Sequence, residues 1–234
     1  SNAEFDKLHK RSAQTNSPVG TYPIIPEGLT STNYAITFSN GTLTVTTYAL
    51  SVTADNQSRS YGAANPVLTG SIVGLQGGDN ITATYATVAD TNSPVGGYAI
   101  TIGLLDPEGK LANYAVTTNN GTLTVDAAAL TVTADAQSKW YGGADPALTY
   151  QFTSGALVNG DSMSGGLSRV AGENAGTYAI LQGTLTAGTN YAMTYVGTNL
   201  TILRNWLSVT AEDQSRAYGA TNPVLEITYS GFVG

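Results

Sequence analysis

Leu50-Ser51-Val52-Thr53-Ala54-Asp55, followed by Tyr61-Gly62 and then Asn65-Pro66, is the stretch that decides how this chain is organised. It returns as Leu130-Thr131-Val132-Thr133-Ala134-Asp135 with Tyr141-Gly142 and Asp145-Pro146. It returns again as Leu207-Ser208-Val209-Thr210-Ala211-Glu212 with Tyr218-Gly219 and Asn222-Pro223. The copies begin 80 and then 77 residues apart, so the 234-residue chain is a tandem array of units near 80 residues. Arrays serve length or multivalency, whereas an active site normally occurs once.

Within a unit the apolar residues alternate with period two. Leu50, Val52 and Ala54 point one way and Ser51, Thr53 and Asp55 the other, as in a half-buried strand. Further strands are expected over 67–73, 81–86, 97–102, 114–117 and 122–125. Asn120-Gly121 and Asn40-Gly41, each between such runs, read as hairpin turns. No stretch carries the apolar i, i+3, i+4 stripe of a globular helix; a single helical turn fits near Leu75–Asp79 and Leu157–Asp161. The fold class is therefore all-β, with room for one short helix per unit, arranged as an elongated rod of small β domains. Gly62, Gly142 and Gly219 are expected at positive φ, with the Asx-Pro steps at Pro66, Pro146 and Pro223 setting the next turn. Tyr61, Tyr141 and Tyr218 read as semi-buried rings whose hydroxyls cap backbone groups. The alternative is an exposed aromatic ladder able to stack on sugars.

Units this small bury a modest share of their surface and usually need a staple. The chain has no cysteine and one histidine, so neither disulfides nor zinc supply it. Packing and contacts between neighbouring units must do so. Charged residues make up 11%, well below the usual share of about 25%. The net charge of −7 argues against nucleic acid. No apolar run approaches the ~18 residues of a membrane span. Absent cysteine fits a reducing cytoplasm or a surface protein secreted without oxidative help, and the Thr-rich, Lys-poor composition favours the second. Ser1-Asn2-Ala3 reads as the scar of a cleaved expression tag, and the remainder as a fragment of a longer secreted protein.

The joint pattern Leu-x-Val-Thr-Ala-Asp, Tyr-Gly, Asx-Pro, then Gly176-Thr177-Tyr178-Ala179-Ile180, Asn190-Tyr191 and Asn199-Leu200-Thr201-Ile202, resembles the mostly-β glycine-rich (MBG) repeats of large bacterial surface proteins and filamentous-haemagglutinin-like adhesins. The resemblance implies an extracellular, cell-surface stalk or spacer repeat, with no defined catalytic residues to carry over.

On this ruler the chain holds a second half-unit (4–48), two whole units (49–127 and 128–205) and a first half-unit (206–234). A permuted frame (4–78, 79–159, 160–234) would instead give three whole units. Half-units expose apolar faces and unpaired edges, a drive to associate. Residues 207–234 of one chain are expected to complement residues 5–45 of another, as a swapped dimer or a head-to-tail fibre. Neighbouring units of the same chain are the other expected partners. The joins at 46–49, 126–129 and 203–206 are short, so adjacent units should be held nearly rigid.

No catalytic set emerges. His9 lies in a basic stretch beside the tag, and the recurring acid–base pairs Asp55/Arg59, Asp135/Lys139 and Glu212/Arg216 read as surface ion pairs. Calcium is the metal best suited to a stalk, but Asp55, Asp79, Asp90, Asp106 and Glu108 are scattered and match no calcium loop. Trp140-Tyr141, where the other copies have Ser60-Tyr61 and Ala217-Tyr218, is the candidate ligand contact of an alternative glycan- or host-ligand-binding module. Trp206, at a join, reads as a packing residue.

Overall fold

The computed structural model describes residues 9–11 and 13–233. The tag scar at 1–3, residues 4–8 of the first half-unit and the side chain of His9 lie outside the described residues. The chain divides into two compact units: residues up to 59 with 63–126, and residues 60–62 with those from 127 onward. The fold is all-β. Among the described residues the only helical element is a 3₁₀ turn, Leu111–Asn113.

Unit 1 contains β1 (His9–Arg11), β2 (Gly20–Pro26), β3 (Gly41–Val45), β4 (Tyr48–Ala54), β5 (Gln57–Ser60), β6 (Gly70–Val73), β7 (Thr82–Ala86), β8 (Gly96–Leu105), β9 (Tyr114–Asn119) and β10 (Gly121–Asp126). They form sheets ordered β1-β2-β3, β6-β4-β9 and β5-β10-β8-β7. Unit 2 contains β11 (Ala128–Ala134), β12 (Gln137–Trp140), β13 (Tyr150–Ser154), β14 (Ser168–Arg169), β15 (Gly176–Leu181), β16 (Tyr191–Val196), β17 (Asn199–Leu203), β18 (Ser208–Ala211) and β19 (Ile227–Ser230). Its sheets run β13-β11-β16, β12-β17-β15-β14 and β18-β19.

The recurring phrase is a core strand. Leu50, Val52 and Ala54 in β4, and Leu130, Val132 and Ala134 in β11, are all buried. One core cluster joins Leu50 and Val52 to Ile81 and Tyr114; a second joins Ala54 to Ala89, Ile100 and Leu123. The partner of β4 is the strand near the other end of the repeat. It pairs in parallel with β9, from Tyr48 opposite Tyr114 to Thr53 opposite Asn119. β11 pairs in parallel with β16 in the same way.

This pairing overturns the hairpin expected at Asn120-Gly121. β9 bonds to β4 in one sheet, while β10 bonds antiparallel to β8 in another. The chain therefore crosses between sheets at Asn120 without folding back. The neighbouring segment makes the same crossing at Asp55-Asn56, where the Asn56 Oδ1 accepts from the Thr122 N–H at 2.8 Å. Gly121 is a glycine for want of space: a Cβ there would lie 2.7 Å from the Asp55 carbonyl oxygen and 2.9 Å from that of Ala54. At Asn40-Gly41, residues 34–39 form no strand and β3 pairs with β2.

Two other expectations are corrected. The helical turn near Leu75–Asp79 is a tight turn closed by Asp79 N–H to the Gln76 carbonyl at 3.0 Å, with Gly77 and Gly78 at φ 60° and 80°. Its counterpart has Asn159 and Gly160 at φ 55° and 77°, a left-handed pair that no α-helix contains. The strand expected from 67 is paired only over Gly70–Val73, because the Val67 carbonyl accepts from the Gln57 side chain and not from a ladder.

Gly121→Ala is expected to lower stability by about 1–3 kcal/mol, from backbone overlap in a closed site. Gly166→Ala, where a Cβ meets nothing within 4 Å, should stay within about 0.5 kcal/mol of the parent. Urea midpoints of the two variants check this; equal midpoints would remove the close-approach explanation.

Candidate functional site

The repeat's Asn-Tyr motif places a tyrosine at the head of β9 and of β16, and in both copies it holds a loop. The Tyr114 Oη donates to Asp79 Oδ2 at 2.6 Å and accepts from the Gln76 N–H at 2.9 Å. The Tyr191 Oη donates to Asp161 Oδ2 at 2.8 Å and accepts from the Val158 N–H at 2.9 Å. Both rings are buried. The Tyr114 hydroxyl is pushed above the ordinary phenol range, first by its bond to Asp79 and then by burial. For Tyr191 burial leads. Each phenol therefore keeps its proton and stays a donor. Gly74 and Gly155 start these loops at φ 108° and 73°, and a Cβ on either would run into the carbonyl of Ala49 or Ala129.

Unit 2 shows what the loop receives. Residues 60–62 belong to this unit, and the Tyr61 ring meets Tyr191 edge-on, centroids 5.6 Å apart and planes at 82°. Gly62, at φ 79°, lies so close to Val158 that a Cβ would overlap the valine methyls. The arrangement recurs in the same unit: Gly142, at φ 82°, faces Val233, whose Cγ2 would sit 2.6 Å from a Cβ on that glycine. The Tyr141 N–H donates to the Leu203 carbonyl at 2.8 Å, and Asn205 Nδ2 donates to the Tyr141 carbonyl at 3.3 Å. Tyr61 is 6% exposed and Tyr141 40%, while Tyr218 is fully exposed.

The three tyrosines of the Tyr-Gly steps thus occupy three environments. The backbone-capping hydroxyls belong to other residues: Tyr22, Tyr98 and Tyr178 donate to the carbonyls of Pro18, Pro94 and Asn174, four residues upstream, at 2.7, 2.8 and 2.8 Å. The recurrence of Gly-x-Tyr, visible in the sequence, was the signal for these.

The acid–base pairs four residues apart do not form at the first two sites. Asp55 and Asp135 instead accept from the Thr69 and Thr149 hydroxyls, each at 2.7 Å. The chain crosses between sheets after each aspartate, which separates it from the cation that follows. Arg59 turns inward, donating to Asn65 Oδ1 at 2.6 Å and to the Asp90 carbonyl. Arg216 donates to the Ala217 carbonyl at 3.3 Å. Lys139 turns inward as well and joins a four-charge network. Its Nζ lies 2.6 Å from Asp145 and 2.5 Å from Glu173, and Arg169 bonds the same two carboxylates at 2.6 and 2.5 Å. Arg169, followed by its own carbonyl-binding loop, carries no repeat signature and escaped the sequence reading.

Trp140 closes β12 beside Tyr141, and both residues are exposed. Trp206, expected to pack at a join, is exposed; its carbonyl lies against Gly231 while the ring projects outward. The calcium candidates are not brought together. Asp79 is taken by Tyr114, Asp106 accepts from the backbone of Lys110 and Leu111, and Asp90 accepts from Asn92 and Ser93. Among the described residues no three His, Cys, Asp or Glu side chains group as a metal site. No helix among them is long and apolar enough to cross a membrane.

Four stretches, 4–44, 50–124, 130–201 and 207–234, match the family described as MBG domain (YGX type). Three of the four contain the Tyr-Gly step. No curated protein is significantly similar to the chain.

The charge network dictates a pH dependence. Arg169 and then Lys139 hold the Asp145 carboxyl down to about 2, and Lys139 and then Arg169 hold Glu173 below the usual range. Both carboxylates have a lower folded than unfolded pKa, so their contribution is present above the unfolded value and is lost as pH falls toward about 2. Lys139 is raised, first by Asp145, so its contribution is complete below its ordinary value and fades only in strong alkali. Asp145→Asn is expected to lower Tm at pH 7 by several degrees, and the gap from the parent should close between about pH 4 and 2. Thermal melts across that window check it; a gap of constant size would show that the loss is not electrostatic.

Proposed function

The chain belongs to the MBG domain (YGX type) family, and from that premise we propose that it is a structural spacer, a non-catalytic stretch of the stalk of a bacterial cell-surface or secreted adhesin-like protein. The observation that carries this reading is the recurrence of one contact. A Tyr-Gly step seats on Val158 and the next one seats on Val233, with the period of the sequence. A contact repeated from one period to the next adds length; a catalytic centre would not recur in this way.

The polar groups support the same reading, since the most convergent ones are spent on structure. Asp79 and Asp161 hold tyrosines, and Lys139, Asp145, Arg169 and Glu173 satisfy one another. Whole units at 49–127 and 128–205 are the working elements, because the strand pairings of β4–β10 and of β11–β17 close within them. An extracellular, cell-surface setting fits a cysteine-free, Thr-rich chain.

With a strand rise near 3.3 Å, each unit should add on the order of 30–40 Å of length. Small-angle scattering of the dilute chain is expected to give the cross-section and maximum dimension of a rod; a compact globular profile would defeat the spacer reading. A glycan-binding module is the second reading, favoured by the exposed Trp140 beside Tyr141. Titrating a glycan panel while following tryptophan emission distinguishes the two. Silence across the panel fits the spacer, and a saturable shift lost in Trp140→Ala fits the binder.

A further inference from the structure

The first Tyr-Gly step belongs to one unit while the chain on both sides of it belongs to the other. Unit 1 holds the chain up to Arg59 and again from Ala63, and unit 2 holds Ser60, Tyr61 and Gly62. So short an excursion needs an anchor at each end. Its stem is anchored in unit 1. The buried Arg59 donates from Nε to Asn65 Oδ1 at 2.6 Å and from Nη2 to the Asp90 carbonyl. Asn65 donates in turn from Nδ2 to the Ala89 carbonyl at 2.6 Å. The two sides of the excursion are thereby bonded to each other and to the 89–90 segment, whose Ala89 lies in the core with Ala54, Ile100 and Leu123.

The tip is anchored in unit 2. Tyr61 is buried edge-on against Tyr191, and Gly62 lies against Val158. Tyr191 in turn fixes the loop, accepting from the Val158 N–H and donating to Asp161. Only five residues separate Arg59 from Asn65, so stem and tip share almost no slack. The second copy keeps the stem in another chemistry: Lys139 and Asp145, at the positions of Arg59 and Asn65, form an ion pair of 2.6 Å flanking Tyr141-Gly142.

We infer that this finger is a latch that makes the two units unfold as one cooperative block, with Tyr61 as its tip and the Arg59–Asn65 bond as its base. While unit 1 is folded, the base presents Tyr61-Gly62 in its seated conformation, and unit 2 gains a buried ring at little ordering cost. Once unit 1 melts the base opens, and seating Tyr61 then requires ordering a free chain. Unit 2 is therefore less stable when unit 1 is unfolded, which is the nearest-neighbour coupling that gives repeat arrays their cooperativity. Cooperative unfolding goes beyond the spacer reading and does not depend on it. A compact scattering profile would remove the spacer and leave the latch standing; a rod whose units melt separately would do the reverse.

The test is pulsed hydrogen exchange of the full chain along a urea titration, read by mass spectrometry in β10 for unit 1 and in β17 for unit 2. In the parent the two strands should lose protection at one common midpoint. Ile100→Val, in the core of unit 1, should lower both midpoints together by roughly 0.2–0.5 M. In a Tyr61→Ala background β17 should melt first, and Ile100→Val should then move β10 alone. Gly62→Ala, which sets a methyl against Val158 and keeps the ring, should separate the transitions in the same way. Where Tyr61→Ala leaves β17 unprotected without urea, this milder variant supplies the background. Asn65→Ala changes only unit 1 and spares the seated ring, yet should lower the β17 midpoint, an effect that a merely local packing role for Tyr61 would not produce. Tyr61→Phe should keep the common midpoint. Separate midpoints in the parent, a β17 strand indifferent to Ile100→Val and Asn65→Ala, or a response to Ile100→Val undiminished once the seat is broken would overturn the inference.

Discussion

The parallel pairing between the two ends of a repeat is the constraint on which the rest of the fold depends. β4 and β9 lie some 65 residues apart in the chain yet run side by side from Tyr48 and Tyr114 to Thr53 and Asn119. Having paired, both segments cross together into a second sheet, where β5 lies beside β10. In the second copy the same two pairings are parallel throughout, β11 with β16 and β12 with β17. A repeat built this way cannot be assembled from either half. Its first strand waits for its last, and everything between them forms the crossover that returns the chain. That is why a cysteine-free unit of this size can close a core.

The crossing also explains features that looked like turn chemistry. At Gly121 the backbone of the neighbouring segment, Ala54 and Asp55, comes within the space of a methyl group. Two parallel segments that bend together must approach closely at the bend, and glycine allows it. Asn56 then supplies the hydrogen bond that the ladder loses there, accepting from the Thr122 N–H. The same bend separates Asp55 from Arg59 and Asp135 from Lys139. The cations are thereby freed to turn into the four-stranded sheets, where Lys139 meets Asp145 and Glu173.

The period, the all-β class and the core face of the repeating phrase were legible because each rests on local periodicity. Leu50, Val52 and Ala54 alternate, and alternation is a property of neighbours. What was not legible depended on contacts between residues far apart. Asn120-Gly121 is as good a hairpin signal as a sequence offers, yet β9 pairs with β4, some 65 residues upstream, and β10 pairs with β8. The Leu75–Asp79 stretch admits a helical turn locally, but Gly77 and Gly78 adopt left-handed φ while Tyr114 ties the loop at Gln76 and Asp79. The charge network has the same cause, since nothing near Lys139 in sequence announces Glu173. The Tyr-Gly positions were picked out correctly as recurring, but what the glycine faces was hidden.

The Tyr-Gly signature therefore encodes a contact as well as a bend. Positive φ alone would admit asparagine, as the structure itself shows at Asn159. At Gly62 and Gly142 asparagine would fail, because any Cβ would overlap a valine of the receiving loop. The glycine thus satisfies two demands together, a left-handed backbone and the absence of a side chain, and only the second depends on a neighbour. At Gly219, where no neighbour is present, the first demand remains and the second has nothing to act on. Glycine recurs at all three steps because the left-handed backbone is common to them, at φ 79°, 82° and 84°.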